Sequence, residues 1–291
     1  MQRTSTLEAQ AQINNGSHTG DEDVLNQYIP EALYWEKYYD YPDINYEWNN
    51  GQLEVVPMAD YAKYIMHLWF LDVLRDFLHA QPIARIIGLE VGFRLALPTK
   101  TTIRKPDLGV VLNSNLAPLG DHDRSYRGIF DLCIESLSDG SQTDIDRDTL
   151  IKRDEYAAAG VQEYYILDER GIETQFYRLT RGGVYRPMPR SNGVIRSLVL
   201  PGFQFRIEDL YSKPTPPQMV GDPVYSAFIS PYYRAERQRA EEAEALVELE
   251  RQRVQQERQR AEEAEALAAE ARQRADHYAA LLKQAGLLPP S

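Results

Sequence analysis

The sequence predicts an α/β (α+β) domain, a mixed β-sheet flanked by helices, with a long C-terminal helix appended. Three observations carry that prediction. A hairpin signal is followed by a helix, several strands, a second helix and further strands, the order of a sheet covered by helices. A Pro-rich stretch, "SKPTPPQMVGDP", then interrupts the chain. Beyond it "ERQRAEEAEAL" occurs at 236–246 and again at 257–267, an interval of three heptads.

The elements follow in order. Residues 1–30 are polar and rich in Asn, Gln, Gly and Ser, the composition of a disordered segment. The domain itself is expected over 31–212. In "INYEWNNGQLEVVP", Asn50-Gly51 is a two-residue turn between alternating runs, and Glu47 points away from the side that carries Tyr46 and Trp48. Apolar residues at 61, 64, 65, 68, 71, 74, 77 and 78 predict a helix from 60 to about 78. "ARIIGLEVGFRLAL" reads as one or two strands bent at Gly88 or Gly92, and "DLGVVLN" and "GIFDLCIESLS" as short buried strands. "DIDRDTLIKRDEYAAAGV" is a helix with acidic residues in its first turn and Gly160 as its stop. "QEYYILD" is the next strand, "ETQFYRL" and "VYRPM" pair across Arg181-Gly182-Gly183, and "FQFRIEDLY" closes the domain near Ser212.

A linker is then expected over 213–231, a long helix over 232–285 and a short tail over 286–291. Positions 240, 247, 254, 261, 268, 275 and 282 are all apolar, one residue per heptad, whereas the intervening series includes Glu250 and Glu257. The pattern predicts a helix that pairs weakly or conditionally as a coiled coil, for example in a homodimer. The competing reading is a solvated helix held by Glu–Arg pairs four residues apart. Tyr278, Leu281, Leu282, Leu287 and Leu288 form a more apolar end that could serve as a docking tip.

Composition narrows the function. A formal charge of -12 does not point to nucleic-acid binding, so any such function would need a local basic patch. Cys133 is the only cysteine and sits in an apolar run, which suits a core thiol in a reducing compartment. No apolar signal core opens the chain, and the longest apolar run, "YIMHLWFLDVL", is too short for a bilayer and contains His67 and Asp72. A cytoplasmic protein is the expectation. The five histidines show no metal-ligand spacing, and there is no Gly-rich phosphate loop.

The acidic residues carry the chemistry. Glu135 ends an apolar strand, a place where a carboxylate is costly unless it is paired or bound to a metal. Asp107 follows Pro106 at the opening of another apolar strand. If the two strands are neighbours, the carboxylates approach each other, and a cation between them relieves the repulsion. Mg²⁺ suits oxygen ligands and retains several waters, and Mn²⁺ is an acceptable substitute. Lys152, with Tyr156 four residues on, lies on the following helix and can place an ammonium beside such an ion. Glu47 could add an acidic group from behind. Read singly, each residue also has an ordinary role: Asp107 in a turn, Glu135 in an ion pair with Arg104, Lys105 or Lys152, Lys152 on a solvated helix face, and Glu47 on an exposed strand face. Arg85, Arg94, Arg104 and Lys105, with Arg124 and Arg127, are the candidates for nucleic-acid backbone contacts, and the competing reading of each is a solvated rim charge.

"KPDLGVV", "DLCIESLS" and "KRDEYAAAGVQEYYILD", preceded by "YEWNNGQLEVVPM", together resemble the Uma-two family of restriction-endonuclease-like proteins, placed in the PD-(D/E)XK nuclease superfamily. The resemblance spans roughly residues 30–210. It implies a mixed sheet flanked by helices, a Mg²⁺ site and hydrolysis of DNA phosphodiester bonds. By position it implies Asp107 and Glu135 as metal ligands, with Lys152 and Glu47 completing a catalytic set. Glu135-Ser136-Leu137 has no lysine two residues after the glutamate, so Lys152 supplies the amine from the helix. The family often has Ser-Pro after this strand, where Ser138-Asp139-Gly140 stands here, and a histidine usually opens its first long helix, where this sequence offers Tyr61, Lys63 or Tyr64 and His67 comes late. The alternative function is a catalytically degenerate nuclease fold that acts as an assembly module through its C-terminal helix.

Overall fold

The structure is a computed structural model that describes residues 24–57, 59–88, 91–137 and 140–284. It divides into two compact units, residues 1–232 and 233–291. The segment expected to be disordered lies outside the described residues up to 23. From Val24 the chain is packed: Ile29 is buried, and Val24 and Leu25 lie against the same aromatic cluster.

The first unit is a mixed α/β domain in which two larger sheets replace the one anticipated. A short helix α1 (Glu31–Leu33) runs into a π-helical turn over Tyr34–Tyr38. Strands β1 (Tyr46–Asn49) and β2 (Gln52–Val55) form the hairpin. Both turn residues take positive φ, 50° at Asn50 and 98° at Gly51, which is the backbone an Asn-Gly pair adopts with least strain. Strands β3 (Ala84–Gly88) and β4 (Gly92–Ala96) flank the anticipated bend but enter different sheets. With β5 (Thr101–Arg104), β6 (Leu108–Leu112), β7 (Ser125–Tyr126), β8 (Leu132–Leu137), β9 (Glu163–Asp168), β10 (Gln175–Leu179) and β11 (Tyr185–Pro187), they give the orders β2-β1-β5-β4-β7 and β11-β10-β9-β8-β6-β3. Each sheet mixes directions, with β4–β7 parallel in one and β8–β9 parallel in the other.

Helix α2 (Tyr61–Ala80) begins at Asp60, whose side chain accepts from the Lys63 amide at 2.8 Å. Its buried stripe is Met66, Phe70, Val73, Leu74, Phe77 and Leu78, whereas Tyr61 and Tyr64 of the anticipated stripe are exposed. Apolar residues occur nearly all round this helix, so periodicity alone could not select the packed face. The stripe joins Leu108, Val110, Leu132 and Ile134 in the main core, which also holds residues of β12 (Val194–Arg196) and β13 (Gln204–Arg206). The second predicted helix divides into α3 (Gln142–Asp146), a π-helical turn over Arg147–Ile151, and α4 (Lys152–Ala159), which ends at Gly160 with φ 93°.

Residues 213–231 are not a free linker. After α5 (Asp209–Ser212) they form α6 (Pro216–Met219), and Met219, Val224, Tyr225, Phe228 and Ile229 are buried in the main core. Apolar residues spaced among the prolines override the linker composition. Helix α7 spans Ser226–Gln284 and so begins before residue 232. In the second unit its described side chains are exposed, including Val247 and Val254 of the heptad series, and Arg253–Glu257 and Glu270–Arg274 are pairs four residues apart. Leu287 and Leu288 lie outside the described residues. No helix among the described residues is long and apolar enough to cross a membrane.

Candidate active site

Four segments bring charged side chains together where the two sheets meet. β5 lies in one sheet and β6 in the other, so Lys105, Pro106 and Asp107 form the crossing. Side chains of β8 alternate: Leu132 and Ile134 enter the main core, while Cys133 and Leu137 enter a second core with Phe93, Phe130 and Tyr156. Glu135 shares the face of Cys133 and Leu137. β6 and β8 are antiparallel neighbours with Leu108 opposite Ile134, so the same register sets Asp107 opposite Glu135. Asp107 is fixed across the strands by the Ser136 amide, which donates to its Oδ2 at 2.7 Å.

Lys152 closes the group from α4. Its ammonium lies 3.1 Å from carboxylate oxygens of Glu135, Glu47 and Asp148. Tyr156, one turn on, donates its hydroxyl to the same Glu135 oxygen at 2.9 Å. Glu47 is wholly buried and engaged at both oxygens: Oε1 accepts from the Lys105 amide at 2.8 Å, and Oε2 accepts from Arg104 at 3.0 Å. Asp107, Glu135, Asp148, Lys152, Lys63 and Arg147 border a cavity of about 10 Å³, room for roughly one water. A larger cleft of about 560 Å³ adjoins it, sharing Val56, Pro57, Lys63 and Asp107 and including Tyr64, His67 and Lys105.

Environment separates the two glutamates. Burial, with Asp148, Asp107 and Glu47 nearby, lifts the Glu135 carboxyl to about 8 despite Lys152. Burial opposes ionisation of Glu47 as well, but Lys152 and Arg104 outweigh it and bring the carboxyl to about 2. Burial also disfavours the charged form of Lys152, yet Asp148, Glu135 and Glu47 hold its ammonium well above the ordinary lysine range. Lys152 therefore acts as a fixed positive charge and not as a proton acceptor at neutral pH. Cys133 is fully buried, and burial followed by the adjacent Glu135 raises its thiol far above the range of a nucleophile.

Arg104 and Lys105 do not present themselves to a DNA backbone. Arg104 is fully buried: its guanidinium binds Glu155 bidentately at 2.6 and 2.9 Å and also meets Glu47 and Glu54. Lys105 is 5% exposed and donates to the Tyr39 carbonyl at 2.7 Å and to Asn45 at 3.0 Å. β5 is flanked by β1 and β4, and Arg104 at its end ties the hairpin to α4 through Glu47, Glu54 and Glu155. On the surface, Arg94 is paired with Glu31, Arg85 with Asp121 and Arg124 with Asp40.

The sequence reading did not single out Asp148 or Ser136, and it named Lys63 only as one of three residues standing where the family usually has a histidine. Asp148, Lys152 and Tyr156 lie at successive four-residue steps, a readable signal of a shared helix face. Lys63 and His67 show the same spacing. His67 Nδ1 lies 3.1 Å from Ser136 Oγ, and Lys63 Nζ lies 3.5 Å from Asp107 Oδ2.

Among the described residues, no three His, Cys, Asp or Glu side chains form a metal-binding group. The hydrogen bonds described fall on Asp107 Oδ2 and Glu135 Oε1, and Asp148 Oδ1 on the same cavity wall is held in its ion pair with Lys152. Asp107 and Glu135 supply the carboxylate oxygens that a hard cation prefers; the small cavity has room for about one water, so an ion that kept more of its water would extend into the adjoining cleft that Asp107 also borders.

Comparison with known proteins agrees with this architecture. Residues 35–208 match the model of the Uma2 (Uma-two) family, described as "Putative restriction endonuclease". That span is more than half of the chain, and the protein belongs to this family. The fold is similar to that of a crystal structure described as a putative nuclease belonging to DUF820 from Anabaena variabilis ATCC 29413. The TM-score is 0.51 at 19% identity, over 64% of this chain and 98% of that one. No curated protein matches.

Proposed function

We propose that the chain is a Mg²⁺-dependent endonuclease that hydrolyses phosphodiester bonds in DNA, with Asp107 and Glu135 as the metal ligands. The observation that carries this reading is the meeting of Asp107, Glu135 and Lys152 around one small cavity, from segments distant in sequence. Membership of the restriction-endonuclease-like family supports it. A Mg²⁺ ion there, or Mn²⁺ in its place, would polarise a phosphoryl oxygen and lower the pKa of a bound water. The Ser136 amide orients Asp107, while Lys152 and Tyr156 orient Glu135. The Lys152 ammonium offsets negative charge gathering above the carboxylates, and Glu47 keeps that ammonium in place. The buried, unpaired Cys133 suits a reducing cytoplasm.

The test is plasmid nicking with Mg²⁺ by the wild type and by Asp107→Ala, Glu135→Ala and Lys152→Ala. Loss of about 10²-fold or more in each folded variant is the expected result. Equal nicking by wild type and variants would refute the assignment and leave the assembly-module reading. For that reading, we propose that α7 self-associates along its 240–282 apolar series into a homodimer.

A further inference from the structure

Resting on that nuclease reading, we infer that Lys63 is the residue whose ammonium contacts the scissile phosphate, released from Asp107 when that carboxylate takes up the metal ion.

The argument begins with room. A phosphate cannot enter a 10 Å³ cavity, so the substrate must lie in the adjoining 560 Å³ cleft, a volume ordinary for a small-molecule site. Asp107 borders both spaces, so a phosphate in the cleft can still reach an ion held at Asp107. Next comes charge. The lysines on the cleft wall are Lys63 and Lys105. Lys105 is committed to the Tyr39 carbonyl, to Asn45 and to the Tyr39 ring, 4.5 Å from its ammonium. Lys152 borders the small cavity and not the cleft, and its ammonium is shared among Glu47, Glu135 and Asp148. His67 also lines the cleft, but its Nδ1 lies 3.1 Å from Ser136 Oγ and burial disfavours its charged form.

Lys63 differs from both of the other lysines. Its described ion pair is a contact of 3.5 Å to Asp107 Oδ2, longer than a hydrogen bond, and that oxygen already accepts from the Ser136 amide. A divalent cation on Asp107 competes for the same carboxylate charge. The cation that loses its partner then faces the cleft, where the phosphate places its own negative oxygens. The first turn of α2, anchored by the Asp60 cap, holds Lys63 at that mouth. Lys63 is then a catalytic residue, and Lys152 a positioning one.

The test measures binding of a fluorescein-labelled DNA duplex by anisotropy over a range of salt, with Ca²⁺ replacing Mg²⁺ to prevent cleavage, and again in EDTA. Wild type, Lys63→Ala and Lys63→Arg are compared, with Mg²⁺-dependent nicking as a second readout. In Ca²⁺, Lys63→Ala should lower the slope of log K against log salt by about one, and Lys63→Arg should restore it. In EDTA, Lys63→Ala should leave the slope unchanged, because Asp107 still holds the ammonium. Nicking by Lys63→Ala should fall by about 10²-fold. A slope that is the same for wild type and Lys63→Ala in Ca²⁺, with nicking intact, would overturn the role of Lys63 while leaving the nuclease reading in place. An equal fall in Ca²⁺ and EDTA would overturn the metal-driven release. A wild type that neither binds nor nicks DNA would overturn both.

Discussion

Glu135 is a carboxylate whose position makes sense only in company. At residue scale its charge is opposed by burial and by three neighbouring acids, and favoured by Lys152. Its folded pKa of about 8 lies above the ordinary value of 4.5, so between those limits the folded chain holds a proton that the unfolded chain has lost. Stability attributable to this site is therefore full below pH 4.5, falls as pH rises, and is lost above about 8. Urea unfolding in EDTA at about pH 5 and about pH 9 should show this fall in the wild type and a smaller one in Glu135→Gln. Equal falls would place the titration elsewhere. Glu47 behaves oppositely: its depressed carboxyl contributes stability above pH 4.5 that is lost as pH falls through about 2. Lys152→Met should lower stability by about 3–5 kcal/mol, since it removes the buried ammonium shared by Glu47, Glu135 and Asp148. Circular dichroism during urea unfolding would measure that change, and a change under about 1 kcal/mol would show that the pairs relax into solvent.

At the scale of elements, the legible parts were those whose local chemistry agreed with their packing. Asn50-Gly51 gave its hairpin, Gly160 ended its helix, and β6 and β8 were readable as short apolar strands. The pairing of β6 with β8, which carries Asp107 to Glu135, could only be stated as a condition, because strand neighbours are set by long-range contacts. The burial of Arg104 was illegible for the same reason: its partners Glu47, Glu54 and Glu155 come from three separate elements. Composition misled at 213–231, where prolines suggested a linker but Tyr225, Phe228 and Ile229 complete the core. Removal of residues 233–291 should therefore leave the thermal midpoint of the first unit within a few degrees, while truncation after Pro223 should prevent stable folding. Phe228→Ala alone should cost about 3–5 kcal/mol. Thermal and urea melts of these variants decide the point, and a normal melt after truncation at Pro223 would contradict the packing.

At the scale of the whole molecule, an acidic chain with its best-placed basic residues turned inward cannot rely on a broad positive surface to hold nucleic acid. Recognition would have to be local, at the cleft beside Asp107 and Lys63, with affinity that depends on the metal. The C-terminal helix supplies the other large-scale variable. Its Ala-rich series buries little surface per heptad, so pairing through it should depend on concentration. Light scattering of the full chain against residues 1–232 should show a mass above the monomer for the full chain alone. A monomer in both would remove the pairing proposal. The measurement that bears most directly on the account is calorimetric titration of Mg²⁺ or Mn²⁺ into the wild type, Asp107→Ala and Glu135→Gln. The account predicts one divalent site in the wild type that is lost in both variants, with protons released on binding near neutral pH as Glu135 ionises. Absence of binding in the wild type, or binding unchanged in either variant, would contradict it.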